Sequence, residues 1–246
     1  MYTHTSLLVT SRPSCTAIVC AYNEEKTLDG VVAALVESAL LDEVVVVDDG
    51  SADTTPDVLE ECAVRKKVHP IWLGENRGKG CAMAEGILAA RGDIILFVDA
   101  DLLNLQPAHV TQILSPLLCE GADMVIGSPT GGQNLLAKTF SFHSISGQRA
   151  VYRTDILPLV GPIRDTGYGV ETLINLYYRK GGKRVQYVYL DDLVHPIKLE
   201  KVGPAEAVGQ YVHEANQIVR AAVRHYSASI TTRNPKRGSR SVVELG

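Results

Sequence analysis

The sequence has few cysteines and no spacing that would pair them. The five thiols are odd in number and none belongs to a Cys-x-x-Cys pair; they are Cys15, Cys20, Cys62, Cys81 and Cys119. Secreted domains that depend on disulfides carry an even and regularly spaced set. This pattern excludes a disulfide framework and predicts reduced thiols in a cytoplasmic protein.

Long apolar runs and a strong charge imbalance are also missing. No stretch approaches the roughly 18 apolar residues of a transmembrane helix, and residues 1–14 are polar without an apolar signal core. The formal net charge is only −4, which gives no indication of a nucleic-acid partner. We therefore expect no transmembrane segment and a cytoplasmic location, so a membrane-bound acceptor would have to be met at the surface.

The length of 246 residues suits one large α/β domain with a substantial core. No internal repeat or low-complexity block divides it. We predict a flexible N-terminus over 1–14, a single domain over 15–226, and a flexible basic tail over 227–246. A long amphipathic helix over 204–226 favours packing or a homodimer contact, and the tail leaves a peripheral membrane contact open.

Strand and helix patterns alternate through the first half of the chain. Apolar runs predict strands, and stretches with a period near 3.6 predict helices. The predicted strands are 16–21, 44–47, 68–73, 93–98, 123–127, 146–152 and 183–190. The predicted helices start at 23, 55 and 78, and then cover 107–120 and 170–179; a loop is expected over 128–142. This alternation predicts a mostly parallel, doubly wound α/β sheet with right-handed crossovers.

Polar residues follow each of the first four predicted strands. They are Tyr22-Asn23-Glu24, Asp48-Asp49-Gly50-Ser51, Asn76-Arg77-Gly78-Lys79-Gly80 and Asp99-Ala100-Asp101. Open α/β sheets bind ligands beyond the carboxyl ends of their strands. Four clusters at one sheet edge therefore predict a binding site.

The chemistry of these clusters indicates a phosphorylated ligand. Asp99 and Asp101 could hold a hard divalent cation, which in turn could hold a diphosphate. Asp49 could accept a hydrogen bond from a base and Glu24 from ribose hydroxyls. Lys79 could meet a base carbonyl or a phosphate, and its flanking glycines let the backbone approach a ligand. The Gly-Lys-Gly triplet lacks the spacing of a P-loop, so an ATPase is not predicted.

Together these motifs resemble the nucleotide-sugar half of a family 2 glycosyltransferase with the GT-A fold, over roughly residues 14–200. Further motifs are similar to glucosyl-3-phosphoglycerate synthases and mannosylglycerate-type synthases: Ser146-Gly147-Gln148-Arg149-Ala150, Gly167-Tyr168-Gly169-Val170-Glu171 and Val194-His195-Pro196. The chain is shorter than the full synthases.

The resemblance implies roles for individual residues. The implied donor-nucleotide set is Ala21, Tyr22, Asn23, Glu24, Asp49, Ser51, Lys79, Asp99 and Ala100. Asp101 and His195 are the implied ligands of Mg²⁺ or Mn²⁺. The resemblance also implies that Asp101 is a catalytic residue. Simpler alternatives stay open for these residues. The acids could be turn-forming or helix-terminal residues, Lys79 could be a surface lysine, and His195 could be a structural histidine.

The same resemblance places the acceptor beside a second group of residues. Glu171 is the catalytic candidate: a base in an inverting enzyme, or a group that positions the acceptor or steadies positive charge in a retaining one. Its alternative role is a first-turn helix acid. Gly147, Gln148, Arg149 and Tyr168 are the implied acceptor-binding residues, although Arg149 could form a structural ion pair and Tyr168 could simply pack.

The sequence therefore predicts a metal-dependent transferase that moves a hexose from a nucleotide-diphosphate sugar. UDP-glucose is the first candidate donor and GDP-mannose the second, and the acceptor could be phosphoglycerate-like or a lipid phosphate. Two alternatives stay open. A nucleotidyltransferase would want a basic, glycine-rich loop after the first strand, where this chain has Tyr22-Asn23-Glu24. A non-catalytic nucleotide-sugar-binding protein would bind UDP without turnover.

Overall fold

A seven-stranded sheet organises the computed structural model, which describes residues 12–131, 146–166 and 169–194. Its strands are β1 (Cys15–Ala21), β2 (Glu43–Asp48), β3 (Val68–Trp72), β4 (Ile94–Asp99), β5 (Met124–Gly131), β6 (Arg149–Tyr152) and β7 (Val185–Val194). They lie in the order β3-β2-β1-β4-β6-β5-β7, and only β6 runs antiparallel to its neighbours, β4 and β5. The predicted mostly parallel α/β sheet is confirmed.

Helices cover both faces of this sheet. They are α1 (Leu28–Glu37), α2 (Thr55–Ala63), α3 (Lys79–Ala89), α4 (Pro107–Cys119), α5 (Arg153–Ile156), α6 (Val160–Arg164) and α7 (Val170–Lys180), with a 3₁₀ turn at Leu157–Leu159. Among these helices none is both long and apolar enough to cross a bilayer.

The central strands are buried on both sides, which explains their continuous apolar runs. Every residue of β2 is buried, and alternate side chains enter two separate cores. Val44 and Val46 pack on the side of α1, α2 and α4, whereas Val45 and Val47 pack on the side of α3, α6 and α7. The register aligns Ala21 with Asp48 and Cys20 with Asp99. The carboxyl ends of β1, β2 and β4 therefore meet at one edge.

Several predicted boundaries were wrong. The first helix begins at Leu28 instead of residue 23, because residues 25–27 form a turn, so Glu24 is not a first-turn helix acid. The second helix begins at Thr55, as predicted, and Thr54 is its N-cap. Residues 128–131, predicted as loop, extend β5 because they pair with β7, while 146–148 precede β6.

Three further outcomes concern the turns after β6, the predictions outside the described residues, and the cysteines. The helical turns over 153–164 were not predicted. The predicted 204–226 helix, the basic tail, the 1–14 terminus except for residues 12–14, and most of the predicted 128–142 loop lie outside the described residues, so the proposed domain limits stay predictions. All five cysteines are free thiols, as expected.

Candidate functional site

The loops after β1 and β2 are joined by main-chain to side-chain hydrogen bonds. The Asn23 amide donates to Ser51 Oγ at 2.9 Å, and the Ala52 amide donates to Asn23 Oδ1 at 2.9 Å. The Glu24 amide donates to Thr55 Oγ1 at 2.8 Å. Asn23 itself has a φ of 56°, a left-handed conformation that asparagine adopts more readily than most residues. These residues therefore form a fixed rim at the sheet edge.

Asp49 fixes the loop after β3 in the same way. Its carboxylate accepts from the amides of Arg77, at 2.9 Å, and Gly78, at 2.8 Å. Burial raises the pKa of Asp49, and the two amide donors only partly offset this effect. Its neighbour Asp48 is buried and accepts from the Ser51 hydroxyl. In this structure Asp49 and Ser51 hold loops, so their contact with a nucleotide stays a prediction.

Lys79 joins the two halves of the predicted site. Its ammonium lies 3.0 Å from Asp99 Oδ1, at the end of β4, and 2.8 Å from Glu171 Oε1, in the first turn of α7. Burial disfavours the ammonium, but the two carboxylates outweigh that effect and raise the pKa of Lys79. A surface lysine, the simpler alternative, is therefore wrong: the side chain is 29% exposed and bridges two acids.

Glu171 is buried and stays ionised near neutral pH. Burial opposes its charge, but Lys79 and then Arg149 outweigh burial and lower the pKa of the carboxyl group. A carboxylate with a lowered pKa is a weak proton acceptor. Whether Glu171 acts as a base or steadies positive charge stays a prediction.

Asp99 is enclosed by residues of the 146–149 segment. Its Oδ2 accepts from Gln148 Nε2 at 2.7 Å, and Gln148 Oε1 accepts from the Ser146 hydroxyl at 2.6 Å. A Cβ atom added to Gly147 would lie 2.2 Å from Asp99 Oδ2, so only glycine leaves room for the carboxylate. In this structure Asp99 is held by Lys79 and Gln148, and its contact with the donor nucleotide stays a prediction. Gln148 is 1% exposed. Its side chain therefore has almost no accessible surface for the predicted contact with an acceptor.

Arg149 is fully buried beneath α7. Its guanidinium donates to the Ser146 carbonyl at 2.6 Å, to Asn175 Oδ1 at 3.2 Å and to the Glu171 carbonyl at 3.3 Å. Direct binding of an acceptor by Arg149 is at odds with this burial, because no part of the side chain reaches solvent. The structural role predicted as the alternative for Arg149 fits better. Its hydrogen-bond partners are main-chain carbonyl and side-chain amide oxygens, however, and not the carboxylate of an ion pair. Arg149 therefore ties the 146–149 segment to the first turn of α7.

The fit to a divalent cation rests on Asp101. Among residues 12–131, 146–166 and 169–194, no three His, Cys, Asp or Glu side chains form a group that could hold a metal ion. Asp101 offers the hard oxygen that Mg²⁺ or Mn²⁺ prefers. Asp99 offers the same type of oxygen and contacts Lys79 and Gln148. Leu103 and Val194 exchange main-chain hydrogen bonds of 2.9 and 3.1 Å, so the residue before His195 lies beside the loop that carries Asp101. His195 itself is outside the described residues.

The remaining predicted residues divide by exposure. Tyr22 is 45% exposed and Glu24 is partly exposed, so both can meet a ligand, whereas the side chains of Ala21 and Ala100 are buried. Tyr168 lies outside the described residues. Sequence reasoning assigned no role to Asn175 or to the Ser146 side chain. Asn175 lies four positions after Glu171, the helical spacing that places both on one face.

Comparison with known proteins identifies similar sequences. The family model described as "Glycosyl transferase family 2" matches residues 16–140. Glucosyl-3-phosphoglycerate synthase of Mycolicibacterium smegmatis is 36% identical over 121 residues, which cover 45% of this chain and 38% of that protein. An uncharacterized protein of Methanocaldococcus jannaschii is 29% identical over 195 residues, covering 70% of this chain and 78% of that protein.

Solved structures give a longer match. The Mycobacterium tuberculosis glucosyl-3-phosphoglycerate synthase, in complex with Mn²⁺, UDP and phosphoglyceric acid, superposes with a TM-score of 0.64 at 25% identity, covering 86% of this chain and 78% of that one. A complex of the same enzyme with Mg²⁺ and UDP gives the same score. The first curated relatives are matched over only 30–38% of their own length. Since the family model covers more than half of the residues, the chain belongs to glycosyl transferase family 2.

Proposed function

We propose that the chain is a metal-dependent glycosyltransferase that uses a nucleotide-diphosphate sugar, with UDP-glucose as the first candidate donor and GDP-mannose as the second. The observation that carries this proposal is the bridge from Lys79 to Asp99 and Glu171. It joins the strand end that would hold the donor to the helix start that would face the acceptor. Similar solved enzymes bind UDP with Mn²⁺ or Mg²⁺, which supports both the donor class and the metal.

On the donor side, the rim of the sheet edge would receive the nucleotide. Tyr22 offers an exposed ring and Glu24 a partly exposed carboxylate, which suit the base and the ribose hydroxyls. Asp101 and His195 would hold the cation. When bound, that cation would supply positive charge to the leaving diphosphate.

On the acceptor side, Glu171 would act through its charge. Breaking the bond between sugar and diphosphate leaves positive charge on the sugar, and an ionised carboxylate fixed in a poorly solvated site stabilises such charge. Lys79 and Arg149 keep Glu171 ionised. This is the role foreseen for a retaining enzyme, and we propose it over proton abstraction.

The chemical class of the acceptor is proposed from the similar structures. Similar structures contain phosphoglyceric acid or, at lower identity, glycerol 3-phosphate, so a small phosphorylated acid or alcohol is our first candidate. The burial of Arg149 means that it would not meet the acceptor phosphate directly. Lipid phosphate stays the second candidate.

The test measures turnover of UDP-glucose and GDP-mannose with and without Mn²⁺, in the presence of 3-phosphoglycerate, glycerol 3-phosphate or a lipid phosphate. We expect transfer from one donor that is lost on metal removal and in Asp101→Ala. The matched control is Asp57→Ala, an acid in the first turn of α2, which should keep full activity. UDP binding without hydrolysis or transfer would indicate the non-catalytic alternative, and pyrophosphate release from UTP with glucose 1-phosphate would indicate the nucleotidyltransferase.

A further inference from the structure

The first turn of α3 lies against main-chain carbonyls at the end of α6. A Cβ atom added to Gly80 would lie 2.3 Å from the Ile163 carbonyl oxygen and 2.4 Å from the Thr166 carbonyl oxygen. Both distances are far below van der Waals contact. Because carbonyl oxygens belong to the backbone, they cannot rotate away as a side chain does. Any residue other than glycine at this position would therefore displace the 163–166 segment.

Gly86 in the same helix differs in kind. Its added Cβ would meet the side chain of Ile18, with Cγ2 at 2.5 Å. A side chain can change its rotamer, at the energetic cost that overpacking of a core brings. Both glycines are buried, but of the two only Gly80 lies against a backbone segment.

That segment precedes Glu171 in the chain. Thr166 precedes Glu171 by five positions, and Lys79, the cation that meets Glu171, is the residue before Gly80. The segment is also internally fixed, since the Thr166 amide donates to the Ile163 carbonyl at 3.0 Å and Arg164 contacts Glu85 of α3 at 2.6 Å. Lys79 is next to Gly80 in α3, and Glu171 follows the 163–166 segment. The positions of both residues therefore depend on the contact between Gly80 and that segment.

We propose that Gly80 is a positioning residue: it seats the segment before α7 against the first turn of α3, so that Glu171 meets Lys79 at the sheet edge. The catalytic meaning of this arrangement rests on the proposed function, but the arrangement itself does not. Gly80 touches no reacting atom and acts through Glu171.

The test compares Gly80→Ala with Gly86→Ala as the matched variant. The first readout is the pKa of Glu171. It is measured from carboxyl ¹³C chemical shifts in glutamate-labelled protein, and the Glu171 resonance is assigned by its absence in Glu171→Gln. In Gly80→Ala we expect this pKa to move up toward the ordinary glutamate value, because the carboxylate moves from Lys79. Gly86→Ala should leave it unchanged. An unchanged Glu171 pKa in folded Gly80→Ala would overturn the proposal.

The second readout is turnover. A misplacement of about 1 Å can reduce a rate by about 100-fold, so Gly80→Ala should lower transfer by about 10- to 100-fold while UDP affinity changes by less than about threefold. Gly80→Ala should add little further loss in a Glu171→Gln background, because both changes act through one contact. A full additive loss would contradict the proposal. If the wild-type chain transfers no sugar, the proposed function fails and the pKa measurement still decides the role of Gly80.

Arg164→Ala covers the case in which Gly80→Ala does not fold. It removes an exposed ion pair that ties the same segment to α3, and such pairs contribute little to stability. We expect a smaller upward movement of the Glu171 pKa and a loss of transfer of up to about fivefold. If Arg164→Ala leaves both unchanged while Gly80→Ala fails to fold, Gly80 is a folding residue only.

Discussion

At the scale of single residues, Lys79 has the largest predicted effect on stability. Lys79→Met would leave the carboxylates of Asp99 and Glu171 close together in a poorly solvated site without their cation. Removing one partner of a buried pair costs about 3–5 kcal/mol, and the partial exposure of Lys79 reduces this to about 2 kcal/mol. Urea unfolding near neutral pH measures the loss.

Lys183→Met is the matched control for that change. Lys183 also lies between two carboxylates, at 3.1 Å from Asp155 and 3.6 Å from Asp123, but away from the proposed site, and these acids are about twice as exposed as the partners of Lys79. We expect a loss below about 1 kcal/mol. Equal losses in the two variants would mean that the Lys79 bridge is an ordinary surface ion pair.

At the scale of elements, the joined loops after β1 and β2 can be tested through Asn23. Asn23→Ala removes the acceptor for the Ala52 amide and places alanine in a left-handed conformation. We expect a loss of about 2 kcal/mol in the free energy of unfolding, together with faster hydrogen exchange at the Ala52 amide. The loss should also weaken nucleotide binding, because the rim of the proposed site loosens.

Asn104→Ala separates the two contributions. Asn104 has a similar φ of 61° and is exposed, so its replacement imposes the same backbone strain without the hydrogen bond between loops. Its loss should be smaller by about 1 kcal/mol, the worth of one hydrogen bond. The joined-loop explanation does not hold if both variants lose the same stability and the same nucleotide affinity.

The elements also show how far the sequence could predict the fold. Strands such as β2 and β4 were recognisable because burial on both faces demands unbroken apolar runs. The turns over 153–164 were missed because each is too short for a helical period to appear. The end of β5 was missed because pairing with β7, some sixty residues later in the chain, overrides its Ser-Pro-Thr-Gly composition.

The site was predictable in its composition but not in its contacts. Convergence of Asp49, Lys79 and Asp99 follows from their places after successive parallel strands, whereas the position of Glu171 beside them was implied by the family resemblance. Spacing along the chain could not indicate that Lys79 would bridge Asp99 and Glu171, or that Arg149 would be buried under α7. Those facts depend on where α7 packs, which is set by tertiary contacts such as the approach of α6 to Gly80.

At the scale of the whole molecule, the acids predict how stability depends on pH. Five carboxylates have a lowered pKa in the folded protein: Glu25, Asp42, Asp53, Asp93 and Glu171. For Asp42, burial raises the pKa but Arg12 and the Cys15 amide outweigh it. Asp49 acts in the opposite direction, since burial raises its pKa. The balance therefore favours the ionised folded state.

The sign follows from proton linkage. A carboxyl group whose folded pKa lies below its unfolded value adds stability that is present above the unfolded pKa, and that stability disappears as the pH falls through the folded pKa. We therefore expect the free energy of unfolding to be nearly constant from about pH 7 to about pH 5 and to fall below about pH 4.5. Urea titrations across this range measure it, and a rise on acidification would contradict the assignment.

Glu171 should account for an identifiable part of this acid dependence. Between its folded and unfolded pKa values one carboxyl group adds up to about 1.4 kcal/mol per pH unit to the slope. Glu171→Gln removes that part. Lys79→Met should flatten this part or reverse it, because burial then raises the pKa of Glu171 without the main group that lowers it. The double variant should have the slope of Glu171→Gln, whereas independent effects would add and would place the acid sensitivity outside the Lys79–Glu171 pair.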